Sequence, residues 1–157
     1  MITQAPEVLY DVHECLSWYE MPGRLPAAAL AGEACVWCTR PADATAVELA
    51  PSAALRRLAC QRCYAARLAW YLTWADWHTH FTACTACQQR QTCYVAHGHR
   101  LLHEQTAQAI GKTPECLVCP APLLATELVA PLCWEGNTRF NVGYAHLRCL
   151  TARASTR

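Results

Sequence analysis

Two residues separate Cys35 from Cys38, and two separate Cys60 from Cys63. A cysteine pair at that spacing turns both sulfurs toward one ion about 2.3 Å away, and two such knuckles complete a tetrahedral thiolate set with no open coordination position. Twenty-one residues lie between the knuckles. The same logic recurs further along the chain, where Cys116 and Cys119 form a knuckle and, after twenty-six residues, His146 and Cys149 stand three positions apart. Residues three apart at a helix start face one point, so this group also reads as four ligands for one ion. A competing assignment leaves His146 on the surface and gives its place to Cys133, which otherwise reads as a small buried hydrophobe in mid-hairpin.

Between these groups lie Cys84, Cys87 and, after five residues, Cys93, among His78, His80, His97, His99 and His103. Three ligands are evident. His80 is the expected fourth, because it stands one helical turn before Cys84 and can face the same ion. His97, His99 and His103 remain alternatives. Thiolate ligation does not by itself separate zinc from an iron–sulfur cluster at this middle group. The reading adopted is three structural Zn²⁺ ions.

Closed sites of this kind do not fit catalysis, which needs a free coordination position and a nearby proton carrier. The zinc deaminase pattern fails twice: Glu104 follows His103 directly, and Glu115 separates Pro114 from Cys116. A treble-clef nuclease would need Asn141 and His146 free for chemistry, but His146 is committed as a ligand. Neither an H-E-x-x-H nor a G-x-S-x-G motif occurs, nor a glycine-rich phosphate loop. The chain is therefore expected not to be an enzyme.

The elements that must position these ligands follow from local composition. Cys63 to Phe81 has no Gly or Pro, is rich in Ala, Leu and Arg, and carries Trp70, Trp74, Trp77 and Phe81 at helical spacing; it is expected to be a helix. Thr45 to Leu49 suggests a strand of a short hairpin between the first two knuckles. A second helix is expected near Arg100 to Ile110, followed by a break at Gly111 and Pro114. Beyond it, a hairpin with its turn at Trp134 to Asn137 leads to a short helix beginning near His146. The expected division is an N-terminal arm at 1–32 with an apolar patch at Val8 to Tyr19, a zinc module with the long helix at 33–82, a helical zinc-binding segment at 78–111, and a last zinc module at 112–157. The modules differ too much to be a sequence repeat.

Twelve cysteines in 157 residues approach the density at which cysteine chemistry, not an apolar core, sets the architecture. Met1 to Tyr10 has neither a basic start nor an apolar run, so no signal peptide is expected and a reducing, cytoplasmic location follows. No apolar stretch approaches the length that spans a bilayer, so no membrane association is expected. Lys112 is the sole lysine and alanine is abundant, which points to a high-GC bacterial genome or a phage within one. The formal charge is +1. Ten thiolates against three divalent ions change it by about −4, to roughly −3, which disfavours general nucleic-acid binding.

The knuckle, hairpin and helix order of the first and last groups resembles the treble-clef zinc finger, and the whole layout is similar to small treble-clef proteins of high-GC bacteria and their mobile elements. The resemblance implies a small α+β fold of zinc-stabilised modules, with two treble-clef-like fingers flanking a helical zinc-binding segment. His80-x3-Cys84-x2-Cys87 looks like the short motif of zinc-associated anti-sigma factors, which implies a sigma-factor partner released on thiolate oxidation. Cys84-x2-Cys87-x5-Cys93 resembles the last three cysteines of WhiB-like regulators, which implies an iron–sulfur cluster.

Two surfaces are candidates for a partner. Arg56, Arg57, Arg62 and Arg67 surround the second knuckle; they either contact phosphates or offset the charge of the four-cysteine site. Trp70, Trp74 and Trp77, with Trp37, form either the seam on which the modules pack or, where exposed, a protein-binding hot spot. The expected role is a protein-interaction or regulatory module, with a DNA- or RNA-binding regulator as the alternative.

Overall fold

The computed structural model describes residues 22–49, 56–119, 121–135 and 140–154. The apolar patch expected at Val8 to Tyr19 lies outside the described residues, as do the connection between the first two strands and the tip of the second hairpin.

Pro26 caps a one-turn helix, α1 (Ala27–Leu30), which suits a residue with fixed φ and no N–H to lose. Gly32, at φ +72°, closes it, with Gly32 N bonding Ala29 O and Glu33 N bonding Ala28 O. This double bond past a left-handed residue is the Schellman arrangement. Two three-residue strands follow, β1 (Val47–Leu49) and β2 (Arg57–Ala59), antiparallel with Val47 opposite Ala59. Ala29, Val36, Leu49 and Ala59 make the small core here, with Leu25, Trp37 and Tyr64 packed against it. Residues 25–30, expected in an arm, thus pack with the first module.

Helix α2 (Gln61–Ala83) is longer than the 63–81 expected by two residues at each end. Trp70, Tyr71, Trp74, Trp77 and His78 are its buried residues, a stripe at i, i+1, i+4, i+7 and i+8 that marks one face of a helix. A one-turn helix, α3 (Thr85–Gln88), leads to α4 (Tyr94–Ala109), which starts earlier than the expected Arg100. Gly111 at φ +74° ends α4 in a second Schellman arrangement, through Gly111 N to Gln108 O and Lys112 N to Ala107 O. The expected break at Gly111 is this cap.

Strands β3 (Val129–Glu135) and β4 (Phe140–His146) pair antiparallel from Val129 opposite His146 to Glu135 opposite Phe140. Trp134 was expected in the turn but stands in β3 opposite Asn141, because the pairing continues two residues further than turn composition suggests. Pro131 is tolerated because both strands of a two-stranded sheet are edges. Helix α5 (Leu147–Ala154) follows without a break. Trp74, Trp77, Val129 and Tyr144 form the second core, with Leu123, Cys133 and Val142 beside it.

The fold is therefore small and α+β, with two two-stranded sheets and five helices among the described residues. The chain divides into two compact units within α2, between Tyr71 and Leu72. No helix among the described residues is long and apolar enough to cross a membrane.

Candidate metal centres

Each of three cysteine and histidine groups is built on the edge of a helix. In the first, Cys35 and Cys38 lie on a turn docked on β2 by Val36 N to Leu58 O and closed by Thr39 N to Cys35 O. Cys60 precedes α2, Cys63 is in its first turn, and Tyr64 N bonds Cys60 O. In the last group the turn carrying Cys116 and Cys119 docks on β4 by Leu117 N to Tyr144 O, His146 ends β4 and Cys149 is in the first turn of α5. The correspondence extends to the bridges. Ala34 pairs with Pro41 and Cys35 with Leu58, and likewise Glu115 pairs with Pro122 and Cys116 with Tyr144. One local design is thus used twice, although the intervening sequences share no repeat.

The middle group is arranged differently. His80 lies in the last turn of α2, Cys84 caps α3, Cys87 is within α3, and Cys93 caps α4. Arg90 follows α3 at φ +60°, with Arg90 N on Cys87 O and Gln91 N on Ala86 O. This is again a Schellman closure, here without glycine.

The ligand atoms within each group, Cys35, Cys38, Cys60 and Cys63; His80, Cys84, Cys87 and Cys93; Cys116, Cys119, His146 and Cys149, lie within 4.8 Å of one another. A tetrahedral site with metal–sulfur bonds near 2.3 Å and metal–nitrogen bonds near 2.0 Å requires S···S separations of about 3.8 Å and N···S separations of about 3.5 Å. The observed S···S separations are 3.7 Å for Cys38 and Cys60, 3.9 Å for Cys84 and Cys93, and 3.6 Å for Cys119 and Cys149. The N···S separations are 3.3 Å from His80 Nε2 to Cys93, and 3.4 Å and 3.8 Å from His146 Nδ1 to Cys119 and Cys149. These donor sets fit a metal ion. The eleven described cysteines are all free thiols.

The electrostatics point the same way. Burial alone raises the Cys35 thiol, but backbone hydrogen bonds from Cys38, Cys60 and Trp37 bring it down to about 7. Cys116 follows suit: burial raises it, and backbone hydrogen bonds from Cys119, His146 and Val118 hold it at about 6. Cys84 is lowered chiefly by the backbone N–H of Cys87. Their neighbours move the other way. Burial and then the adjacent sulfurs push Cys63 far up, Cys87 to about 12 and Cys149 to about 11. In each group one thiol is thus drawn toward the thiolate, while burial and the adjacent sulfurs oppose ionisation of a neighbour. A divalent ion removes that opposition.

Other candidates are placed elsewhere. His103 is fully buried, hydrogen-bonded to Tyr144 Oη through Nε2 and 3.1 Å from Thr73 Oγ1 through Nδ1. His97 is exposed, and the His99 ring stands 5.5 Å from that of His80. Cys133 lies 3.4 Å from buried His78 Nε2, away from the ligand sets, and burial raises its thiol. Trp70, Trp74 and Trp77 are 3%, 3% and 1% exposed, so these three are packing residues and offer no docking face. Trp37 is half-buried, with the Arg67 guanidinium 4.3 Å above its ring. Arg56 approaches Glu48 at 3.8 Å, and Arg57 lies on β2 with Nε buried.

Spacing did not reveal Glu127 or Arg100. The Glu127 carboxylate lies 2.9 Å from His146 Nε2 and 2.7 Å from Arg148. No motif marks either residue, because their partners are up to 27 positions away. No family model matches this chain, and no curated protein or solved structure shows significant similarity to it.

Proposed function

We propose that this chain is a non-enzymatic zinc protein, in which three structural Zn²⁺ ions hold two treble-clef-like modules and an intervening helical segment in shape for binding another protein. The observation that carries this reading is the closure of the donor sets. Four protein ligands at tetrahedral separations leave no coordination position for a substrate or an activated water. Zinc is favoured over other divalent ions by sets made only of thiolate and imidazole. Knuckle, hairpin and helix recur in that order around the first and last groups, which supports the treble-clef description.

A protein partner is supported by apolar side chains turned to solvent on α4, where Tyr94 is 85% and Leu102 50% exposed, beside Val95 and Leu101. A groove of about 490 Å³ lined by Phe81, Tyr94, Leu128 and Leu147 adjoins them. Two of the arginines around the second knuckle are engaged locally, on Glu48 and Trp37, which favours charge compensation over phosphate contact. A reducing, cytoplasmic setting is consistent with the free thiols.

Native mass spectrometry with elemental analysis, on protein purified without added metal, tests the metal reading: three zinc ions per chain are expected. A brown protein containing iron and sulfide would overturn it in favour of the WhiB-like resemblance. For the partner, DNA binding that weakens steeply with salt and vanishes in Arg56→Gln/Arg57→Gln would replace the protein-interaction reading.

A further inference from the structure

Glu127 stands where chains from three elements meet. Arg100, only 3% exposed on α4, sends Nη1 to the Glu127 carbonyl at 2.7 Å and Nη2 to the Leu124 carbonyl at 2.9 Å, while its Nε binds Glu104 at 2.7 Å. The turn it grips is closed internally by Glu127 N to Leu124 O and by Leu124 N to the Glu127 carboxylate. A burial this deep needs every guanidinium nitrogen engaged, and here all three are. The same turn is tied to the start of α5 by Leu147 N to Leu128 O.

The carboxylate so placed faces His146. That imidazole is 1% exposed, and its two nitrogens have different surroundings. Nδ1 faces the sulfurs of Cys119 and Cys149. Nε2 is buried, makes no aligned hydrogen bond, and has a Glu127 oxygen 2.9 Å away. A neutral imidazole carries its proton on one nitrogen only, and a carboxylate beside Nε2 favours the proton there. Nδ1 is then left with its lone pair directed at the sulfur set. Arg148, 2.7 Å from the second carboxylate oxygen, holds the Glu127 carboxylate in place from its other side.

We infer that Glu127 is the positioning residue of the last metal centre: gripped by Arg100 and Arg148, it holds His146 as the tautomer that presents Nδ1 to the ion. This rests on the metal reading proposed above. It also links two centres, because Arg100 sits two turns along the helix that Cys93 begins, so the helix capped by a ligand of the middle group steadies a ligand of the last.

The test uses the full chain loaded with Zn²⁺. Long-range ¹H–¹⁵N spectra of the wild type should show His146 bound through Nδ1 with a slowly exchanging proton on Nε2. Competition with a chromophoric chelator should show one of the three ions held 10–100-fold more weakly in Glu127→Ala, with Glu127→Gln intermediate because its amide oxygen still accepts the proton. Arg100→Gln should shift the same ion in the same direction by less. Retention of the other two ions in each variant reports that the fold persists. Should His146 bind through Nε2, or Glu127→Ala hold all three ions as the wild type does, the inference fails while the zinc reading stands. A wild type whose His146 signals ignore zinc overturns both.

Discussion

Arg90 occupies a backbone position that suits glycine. At φ +60° it closes α3 between Cys87 and Cys93, where a side chain costs about 1 kcal/mol relative to glycine. Arg90→Gly should therefore raise the stability of the metal-loaded protein by roughly 0.5–1 kcal/mol in urea unfolding, with metal content unchanged. Tyr144 presents the opposite case. Its hydroxyl is the partner of buried His103 Nε2, and Thr73 and Thr106 complete the chain of bonds on the other side. Tyr144→Phe takes that hydroxyl away from a buried ring nitrogen, so a loss of about 1–3 kcal/mol is expected by the same measurement. A variant as stable as the wild type would mean that water replaces the hydroxyl.

Each of the first and last modules carries a knuckle turn docked on a strand. β1 and β2 are three residues each, too short to persist as an isolated hairpin, so under the zinc reading the turn, hairpin and helix of the first module depend on the ion they would share. Hydrogen exchange should show Val36 and Leu117, whose amides bond Leu58 and Tyr144, losing protection on chelation together with the strand amides. Retained protection at either would show that its docking does not need the ion. Gly143 permits the second docking: a Cβ there would lie 2.5 Å from Leu117 Cδ1 and 3.2 Å from the Trp134 ring. Because the Leu117 side chain is 54% exposed and able to swing aside, Gly143→Ala should cost only about 1 kcal/mol. Most of that loss should disappear when Leu117→Ala is added.

For the whole molecule, the two core clusters among the described residues hold four buried residues each, and under the zinc reading metal binding and folding are expected to be one process. Exhaustive chelation should abolish the cooperative thermal transition and collapse the near-ultraviolet signal of the buried tryptophans. Acid should do the same as the ligands take up protons. Charge gives a second readout. The sequence isoelectric point is near 7.5, and the loaded protein should focus below it, since each closed site adds more thiolate charge than its ion neutralises. Focusing at or above 7.5 would mean that fewer sites are filled.

The sequence alone was enough to group Cys35, Cys38, Cys60 and Cys63, and likewise Cys116, Cys119, His146 and Cys149, because ligands for one ion recur at spacings that a single turn imposes. It also located α2, whose aromatic residues repeat at the period of a helix. Spacing favoured His80 as the partner of Cys84, Cys87 and Cys93 but left His97, His99 and His103 open. The tertiary structure separated them, because the way α2, α3 and α4 are joined sets His80 beside these cysteines while burying His103 against Tyr144. The aromatic stripe was legible as a stripe, but only packing could assign it to a core. Arg100 and Glu127 escaped notice because polar residues far apart in sequence carry no periodic signal, and their role exists only once a buried helix face meets a distant turn.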